Sequence, residues 1–151
     1  MSINTGETTT LYAADVEIMA NTSGRKSGNS GNEDAYVKFY VTMYYYWTGD
    51  FEMYIQLDKI DYRWEITYDP NDNVAIDSGK MTVHQNGAGL DNSAKNQNKE
   101  VDIKSTSGTV LVRNWNWVPV LSDGLRYEVY NEVSATIYAR GAWQFSFRFG
   151  L

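Results

Sequence analysis

Apolar and polar residues alternate with a period of two along most of this chain, and this alternation constrains the fold more than any other feature. Side chains on a β-strand point to opposite faces in turn, so alternation predicts strands with one buried and one exposed face. Residues 34–47 show it best, with Val37, Phe39, Val41 and Met43 on one face. Because no segment carries a convincing helical stripe, the sequence predicts an all-β domain.

About eight or nine such segments, separated by turn-forming residues, predict an antiparallel β-sandwich. Jelly-roll and immunoglobulin-like arrangements both stay open. The 151 residues suit a single domain that spans 1–151. Polar stretches at 21–34 and 85–98 are predicted to be loops. Residues 51–57 and 62–68 are expected to form two separate strands. Two short strands are expected on either side of Ser78-Gly79.

The polar face of the second hairpin is the first candidate recognition surface. A three-residue loop would pair Trp47 with Phe51 and Tyr45 with Met53, which keeps one face apolar. The opposite face would then collect tyrosines and hydrogen-bonding groups, namely Tyr40, Tyr44, Tyr46, Tyr54, Gln56 and Asp58. Tyrosine offers rigid contact area with a polar tip, which suits a protein or glycan ligand. The alternatives are tyrosines that simply cover a half-exposed sheet, or a second buried layer.

Two tryptophans in an asparagine-rich stretch form the second candidate. Trp115 and Trp117 share strand parity and follow Asn114 and Asn116. In a loop they would be an exposed anchor for a glycan, a protein or a bilayer interface. The alternative is a plug in the core or at a sheet edge, since tryptophan is highly buried on average.

The chain contains few of the residues and motifs that catalysis or metal binding requires. His84 is the only histidine, no serine lies in a GxSxG elbow, and there is no cysteine. Residues 69–73 have the oxygen spacing that opens a calcium loop, but Val74 and Lys80 stand where that loop needs glycine and glutamate. A β-turn explains this stretch better. We therefore expect no catalytic residue, no metal site and no cofactor.

Charge narrows the choice of partners. The net charge is −6, so the basic stripe that a nucleic acid requires is missing. The first residues lack the basic and apolar segments of a signal peptide, and no stretch approaches the roughly 20 apolar residues of a membrane helix. The compartment stays open, with an extracellular or virion-associated location as the expectation.

These observations favour a non-enzymatic recognition or assembly module. Its partner would be a cell-surface glycan or a neighbouring protein subunit in an extracellular or virion-type assembly. Exposed sheet edges also favour a homo-oligomer. The alternative is a membrane-active protein, either toxin-like or an outer-membrane barrel, with its Tyr and Trp clusters at the lipid interface. Residues 143–151 resemble the aromatic C-terminal strands of outer-membrane barrels, although few segments reach the roughly ten alternating residues of a lipid-facing strand. A hydrolase comes third.

Overall fold

Two antiparallel β-sheets pack face to face in the computed structural model, which describes residues 10–21, 36–68, 75–122, 129–138 and 142–151. The predicted antiparallel β-sandwich is confirmed. Two single-turn 3-10 helices, Asp50–Glu52 and Val112–Trp115, are the only helices within these ranges. The strands are β1 (Tyr12–Asn21), β2 (Tyr36–Thr48), β3 (Tyr54–Tyr68), β4 (Ala75–Ala88), β5 (Ala94–Ile103), β6 (Ser107–Val110), β7 (Val120–Leu121), β8 (Val129–Tyr138) and β9 (Ala142–Gly150).

The first sheet has the order β1-β2-β3-β6, with the short β7 also paired to β3, and the second has the order β5-β4-β8-β9. Inward-facing aliphatic and aromatic side chains from both sheets form one core. The ring centroid of Phe39 lies 5.0 Å from that of Phe145 and 6.0 Å from that of Phe147, so β2 packs over β9. Within the described ranges, no helix is long and apolar enough to cross a membrane.

The register of the β2–β3 hairpin differs from the predicted one. Trp47 pairs with Ile55, and Tyr45 pairs with Leu57. The predicted three-residue loop, which paired Trp47 with Phe51, is therefore wrong. Residues 49–53 form a longer loop instead, because its backbone turns through left-handed conformations at Phe51 (φ 60°) and at its neighbour Glu52 (φ 50°). Phe51 consequently leaves the core face and is exposed.

Strand β3 is continuous where two strands were predicted. A register shift leaves Asp58 without a partner on β2, since Tyr45 pairs with Leu57 and Tyr44 with Lys59. Such a bulge moves the alternation by one residue. The buried positions therefore change from odd numbers, as at Leu57, to even numbers, as at Ile60. This change of phase looks like a strand break in the sequence.

Strand β4 is also longer than predicted, and the predicted loop at 85–98 is mostly strand. β4 continues through Gly79, where a turn was expected, and on to Ala88, and β5 begins again at Ala94. A Cβ atom at Gly79 would lie 3.1 Å from the indole of Trp64, so the glycine makes room for that ring. The predicted turn at 69–73 and nearly all of the predicted loop at 21–34 lie outside the described residues.

Candidate functional site

The four tyrosines of the predicted surface, called here the tyrosine face, are all half-buried. The register places Tyr40 opposite Arg63, Tyr44 opposite Lys59, and Tyr46 opposite Gln56. Tyr54 pairs with Thr48 beside the hairpin loop, and its ring would lie 2.6 Å from a Cβ atom at Gly49. The tyrosines are thus neither fully exposed nor a completely buried second layer.

Basic side chains cover part of the tyrosine face. The guanidinium carbon of Arg63 lies 3.9 Å from the ring centroid of Tyr40, and the ammonium of Lys59 lies 4.7 Å from that of Tyr44. The hydroxyl of Tyr40 donates a hydrogen bond of 2.9 Å to Glu65, which also pairs with Arg63 at 3.0 Å. These cations occupy ring faces that a sugar would need for stacking.

Gln56 was predicted to bind a ligand, but it is 6% exposed and its amide bonds within the protein. It donates to the carbonyl of Leu57 over 2.7 Å and accepts from Gln85 over 3.2 Å. Gln85 also accepts from the amide of Leu57 and donates to the carbonyl of Val118. This network explains how glutamines can lie inside the sandwich, and it leaves Gln56 unavailable for recognition.

Asp58 is likewise engaged by the protein. Its carboxylate lies 2.8 Å from the guanidinium of Arg113 on the second 3-10 helix, and its side chain is 15% exposed. Burial raises the pKa of the nearby Tyr46, and the charge of Asp58 raises it further while Arg113 opposes the shift. The ion pair between Asp58 and Arg113 joins the second 3-10 helix to the bulge of β3.

Trp115 and Trp117 both contact the core and remain partly exposed, so they are neither a fully exposed anchor nor a completely buried plug. Asn116 between them has a left-handed backbone (φ 56°), and the two ring centroids lie 4.9 Å apart. The ammonium of Lys99 lies 5.3 Å from the indole of Trp115. Gln97 fixes this segment, because it bonds both the amide and the carbonyl of Val118.

An open groove of about 440 Å³, called here the Trp115 groove, runs beside this indole between the edge strands β5 and β6. Its aromatic walls are Trp115 and Tyr62. An amine, a carboxylate, an amide and a hydroxyl also line it, from Lys99, Asp102, Asn114 and Thr109. The sequence prediction found only Trp115, because the other groups come from β3, β5, β6 and the 3-10 helix, and their meeting depends on the strand order.

A second shallow groove, of about 470 Å³, lies on the outer face of β6. It shares Tyr62 and Thr109 with the Trp115 groove and is also lined by Tyr40, Asp61 and Arg63. The hydroxyl of Thr109 donates to Asp61 over 2.7 Å. Tyr40 and Arg63 both bond to Glu65, so four of its polar side chains already have partners, and it offers less to a ligand than the Trp115 groove.

His84 lies on the outer face of the second sheet with both ring nitrogens in contact with polar side chains. Its ring stacks on Tyr130 with a centroid distance of 4.2 Å, Nε2 lies 2.9 Å from Glu132, and Nδ1 bonds to Asn98. In the part of the chain that the structure describes, no three His, Cys, Asp or Glu side chains are grouped to hold a metal ion.

Three exposed apolar side chains form what we call the apolar tip at one end of the sandwich. Phe51 is 90% exposed, and Met53 and Leu90 are also exposed. Leu90 belongs to the β4–β5 turn, and a Cβ atom at Gly49 would lie 2.9 Å from it, so the turn and the hairpin loop lie side by side.

Comparison with known proteins adds no relative from which a role could be inferred. No protein family, no curated protein and no solved structure matches this chain.

Proposed function

We propose that this protein is a non-enzymatic recognition module that binds a carbohydrate in the Trp115 groove. One observation carries the proposal. Two aromatic side chains share an open groove of about 440 Å³ with four different hydrogen-bonding groups. That volume lies within the range of small-molecule sites, which typically combine apolar walls with a few placed polar groups.

The chemistry of the groove fits a sugar better than a purely apolar or an anionic ligand. The apolar C–H face of a sugar ring can lie on the indole of Trp115, while its hydroxyls bond to Asp102 and Asn114. Lys99 supplies the only cation among the groove residues and Asp102 the only anion, so the lining carries no net charge. A neutral polyhydroxylated ligand matches this balance.

A glycan ligand would fit the expected role of the protein at a cell surface or in a virion-type assembly. The tyrosine face supports that role less well than the Trp115 groove does, because Gln56 is buried and because the cations over Tyr40 and Tyr44, at 3.9 and 4.7 Å, lie closer to the rings than Lys99 lies to Trp115, at 5.3 Å. Recognition is therefore assigned to the groove.

A glycan array followed by titration calorimetry on the best-bound sugar tests the proposal. Trp115→Ala should weaken binding about thirtyfold, which corresponds to the roughly 2 kcal/mol of a binding hot spot. Asp102→Asn keeps the size of the side chain and should also weaken binding. Tyr44→Ala, on the tyrosine face, should bind like the wild-type protein.

Because Trp115 contacts the core, circular dichroism must show that each variant is folded before its affinity is compared. Binding that survives Trp115→Ala and Asp102→Asn but is lost in Tyr44→Ala would move recognition to the tyrosine face. A chain that binds no glycan at all would refute the proposal.

The apolar tip supports a second candidate function, attachment to a lipid bilayer. An exposed phenylalanine flanked by Asp50 and Glu52 would insert into neutral rather than anionic membranes. Vesicles of phosphatidylcholine should then co-sediment the wild-type protein and fail to co-sediment Phe51→Ser. Leu111→Ser, which removes an exposed apolar side chain elsewhere, is the matched control.

A further inference from the structure

Among the described residues, β1 on one side and β6 with β7 on the other form the edges of the first sheet, and β5 and β9 form those of the second. These edges differ in how well they are protected against pairing with another chain. Natural proteins blunt such edges with charges, bulges, prolines or very short strands. β1 carries Asp15 and Glu17 on its exposed face. β5 carries several charged residues, and β6 is only four residues long.

β9 has almost none of these devices. Ala142–Gly150 contains nine residues without a proline, and its pairing with β8 shows no register shift. Its only charge is Arg148, whose guanidinium carbon lies 4.4 Å from the ring centroid of Tyr130 on β8. Arg148 thus lies over the neighbouring strand β8. Among the described residues, β9 is hydrogen-bonded along its length to β8 alone.

The hydrogen-bonding groups of this edge can be assigned from the ladder with β8. The amide of Leu151 donates to the carbonyl of Val129 over 3.0 Å. Because bonding residues alternate along an antiparallel strand, the odd-numbered residues of β9 bond to β8. The even-numbered residues Gln144, Ser146 and Arg148 therefore direct their N–H and C=O groups toward the open edge.

We infer that β9 pairs antiparallel with β9 of a second copy of this chain, on a two-fold axis at Ser146. In this register all nine residues of each strand overlap. Gln144 faces Arg148 of the second copy, Ser146 faces its own equivalent, and no like charges are opposed. The half-buried Phe145 and Phe147 would meet across the junction on the inner face.

Pairing β1 with β1 of a second copy is less favourable, and for this reason we place the contact at β9. A homotypic antiparallel pair must oppose residues of equal parity, so the two registers of fullest overlap oppose either Asp15 to Glu17 or Glu17 to its own equivalent. Like charges in directly opposed positions destabilise a strand pair. The inference is independent of the Trp115 groove, which lies beyond the opposite edge of the sandwich.

Light scattering across a concentration series on the full chain tests the pairing. The wild-type protein should approach twice the 17.2 kDa of one chain. Gln144→Lys combined with Ser146→Lys would place the new ammonium groups against each other and against Arg148, which should weaken the dimer roughly tenfold or more. Asn96→Lys with Asn98→Lys on β5 adds the same charge to the other edge of the same sheet and should leave the dimer intact.

A cross-link tests the register and does not depend on the lysine variant folding. The chain has no cysteine, so Ser146→Cys introduces a single thiol. Directly opposed residues have Cα atoms about 5.5 Å apart, within reach of a disulfide. Mild oxidation should therefore cross-link Ser146→Cys rapidly, while Ser107→Cys on β6 should form little disulfide-linked dimer, because its thiols lie far from the paired β9 strands.

The inference would be overturned by a wild-type monomer at every concentration, by a dimer that tolerates the lysines on β9, or by a Ser146→Cys protein that cross-links no better than Ser107→Cys. Dissociation by both lysine pairs would also overturn it, because charge rather than the β9 edge would then be the cause. None of these outcomes bears on glycan binding, which is measured separately on the Trp115 variants.

Discussion

Two amides lie buried inside the sandwich, and their surroundings differ completely. Gln85 is fully buried and bonds to Leu57, Gln56 and Val118. Asn131 is also fully buried, on the inner face of β8, but neither its side-chain nitrogen nor its oxygen has a hydrogen-bond partner among the described residues. A buried polar group without a partner costs free energy, whereas a satisfied one contributes modestly to stability.

Substitution of these two amides by leucine should therefore have opposite effects. Asn131→Leu should raise the free energy of unfolding by about 1–3 kcal/mol, because it removes an unsatisfied group. Gln85→Leu should lower it by at least a similar amount, because it leaves the backbone amide of Leu57 and the side-chain oxygen of Gln56 without their partner. Urea denaturation of both variants measures the two values. A destabilised Asn131→Leu would mean that Asn131 has a partner outside the described contacts.

Single substitutions on the tyrosine face and in the core should differ in how much they destabilise the fold. Ile55 is completely buried, so Ile55→Ala should cost about 2–5 kcal/mol. Tyr44 is half-buried under Lys59, so Tyr44→Ala should cost much less. Thermal melts of the two variants decide between a surface and a second core layer. Equal losses of melting temperature would show that the tyrosines belong to the core.

At the level of elements, alternation in the sequence located most of the strands but not their limits. The strands β2 and β9 follow an unbroken alternation, and they were predicted close to their observed positions, at 34–47 and 143–151. β3 and β4 contain register shifts, which interrupt the alternation and made each of them look like two strands. The β4–β5 hairpin looked like a loop because its inward positions include Gln85 and Gln97 rather than aliphatic residues.

Gly79 shows what an internal glycine does inside one of these strands. A Cβ atom there would lie 3.1 Å from the indole of Trp64 and 3.2 Å from the carbonyl of Ser134. Gly79→Ala should therefore destabilise the domain by roughly 1–3 kcal/mol through overpacking. Trp64→Phe in the same chain should recover part of that loss, which a double-mutant cycle in denaturant would measure. Strictly additive losses would contradict the contact.

At the scale of the whole molecule, the Trp115 groove could not be predicted from the sequence. It brings together residues of β3, β5, β6 and the second 3-10 helix, and only the strand order makes them neighbours. The sequence singled out Trp115 as a candidate, because two tryptophans in a polar stretch are conspicuous, but not its neighbours in the groove. It also led to Gln56 as a ligand group, since strand parity alone does not reveal that an amide is buried in a network.

A residue outside the Trp115 groove also holds the segment that carries Trp115. Gln97 does not line the Trp115 groove, but its amide bonds both the N–H and the C=O of Val118. Gln97→Ala should therefore free the segment that carries Trp115 and Trp117. Hydrogen exchange at the amide of Val118 should become faster, while exchange in the core of β8 stays unchanged. Unchanged exchange at Val118 would show that the two tryptophans hold the segment without Gln97.

The position of the groove relative to β9 determines how a paired molecule would act on ligands. β5 and β9 are opposite edges of one sheet, so joining two copies at β9 would place β5 at both ends of an eight-stranded sheet. At about 4.8 Å per strand, the two grooves would be about 34 Å apart and would face away from each other. Such a dimer would bind two separate glycan-bearing surfaces and link them, because its two grooves could not both reach the same surface. It should therefore agglutinate glycan-bearing particles without gaining avidity for any one of them.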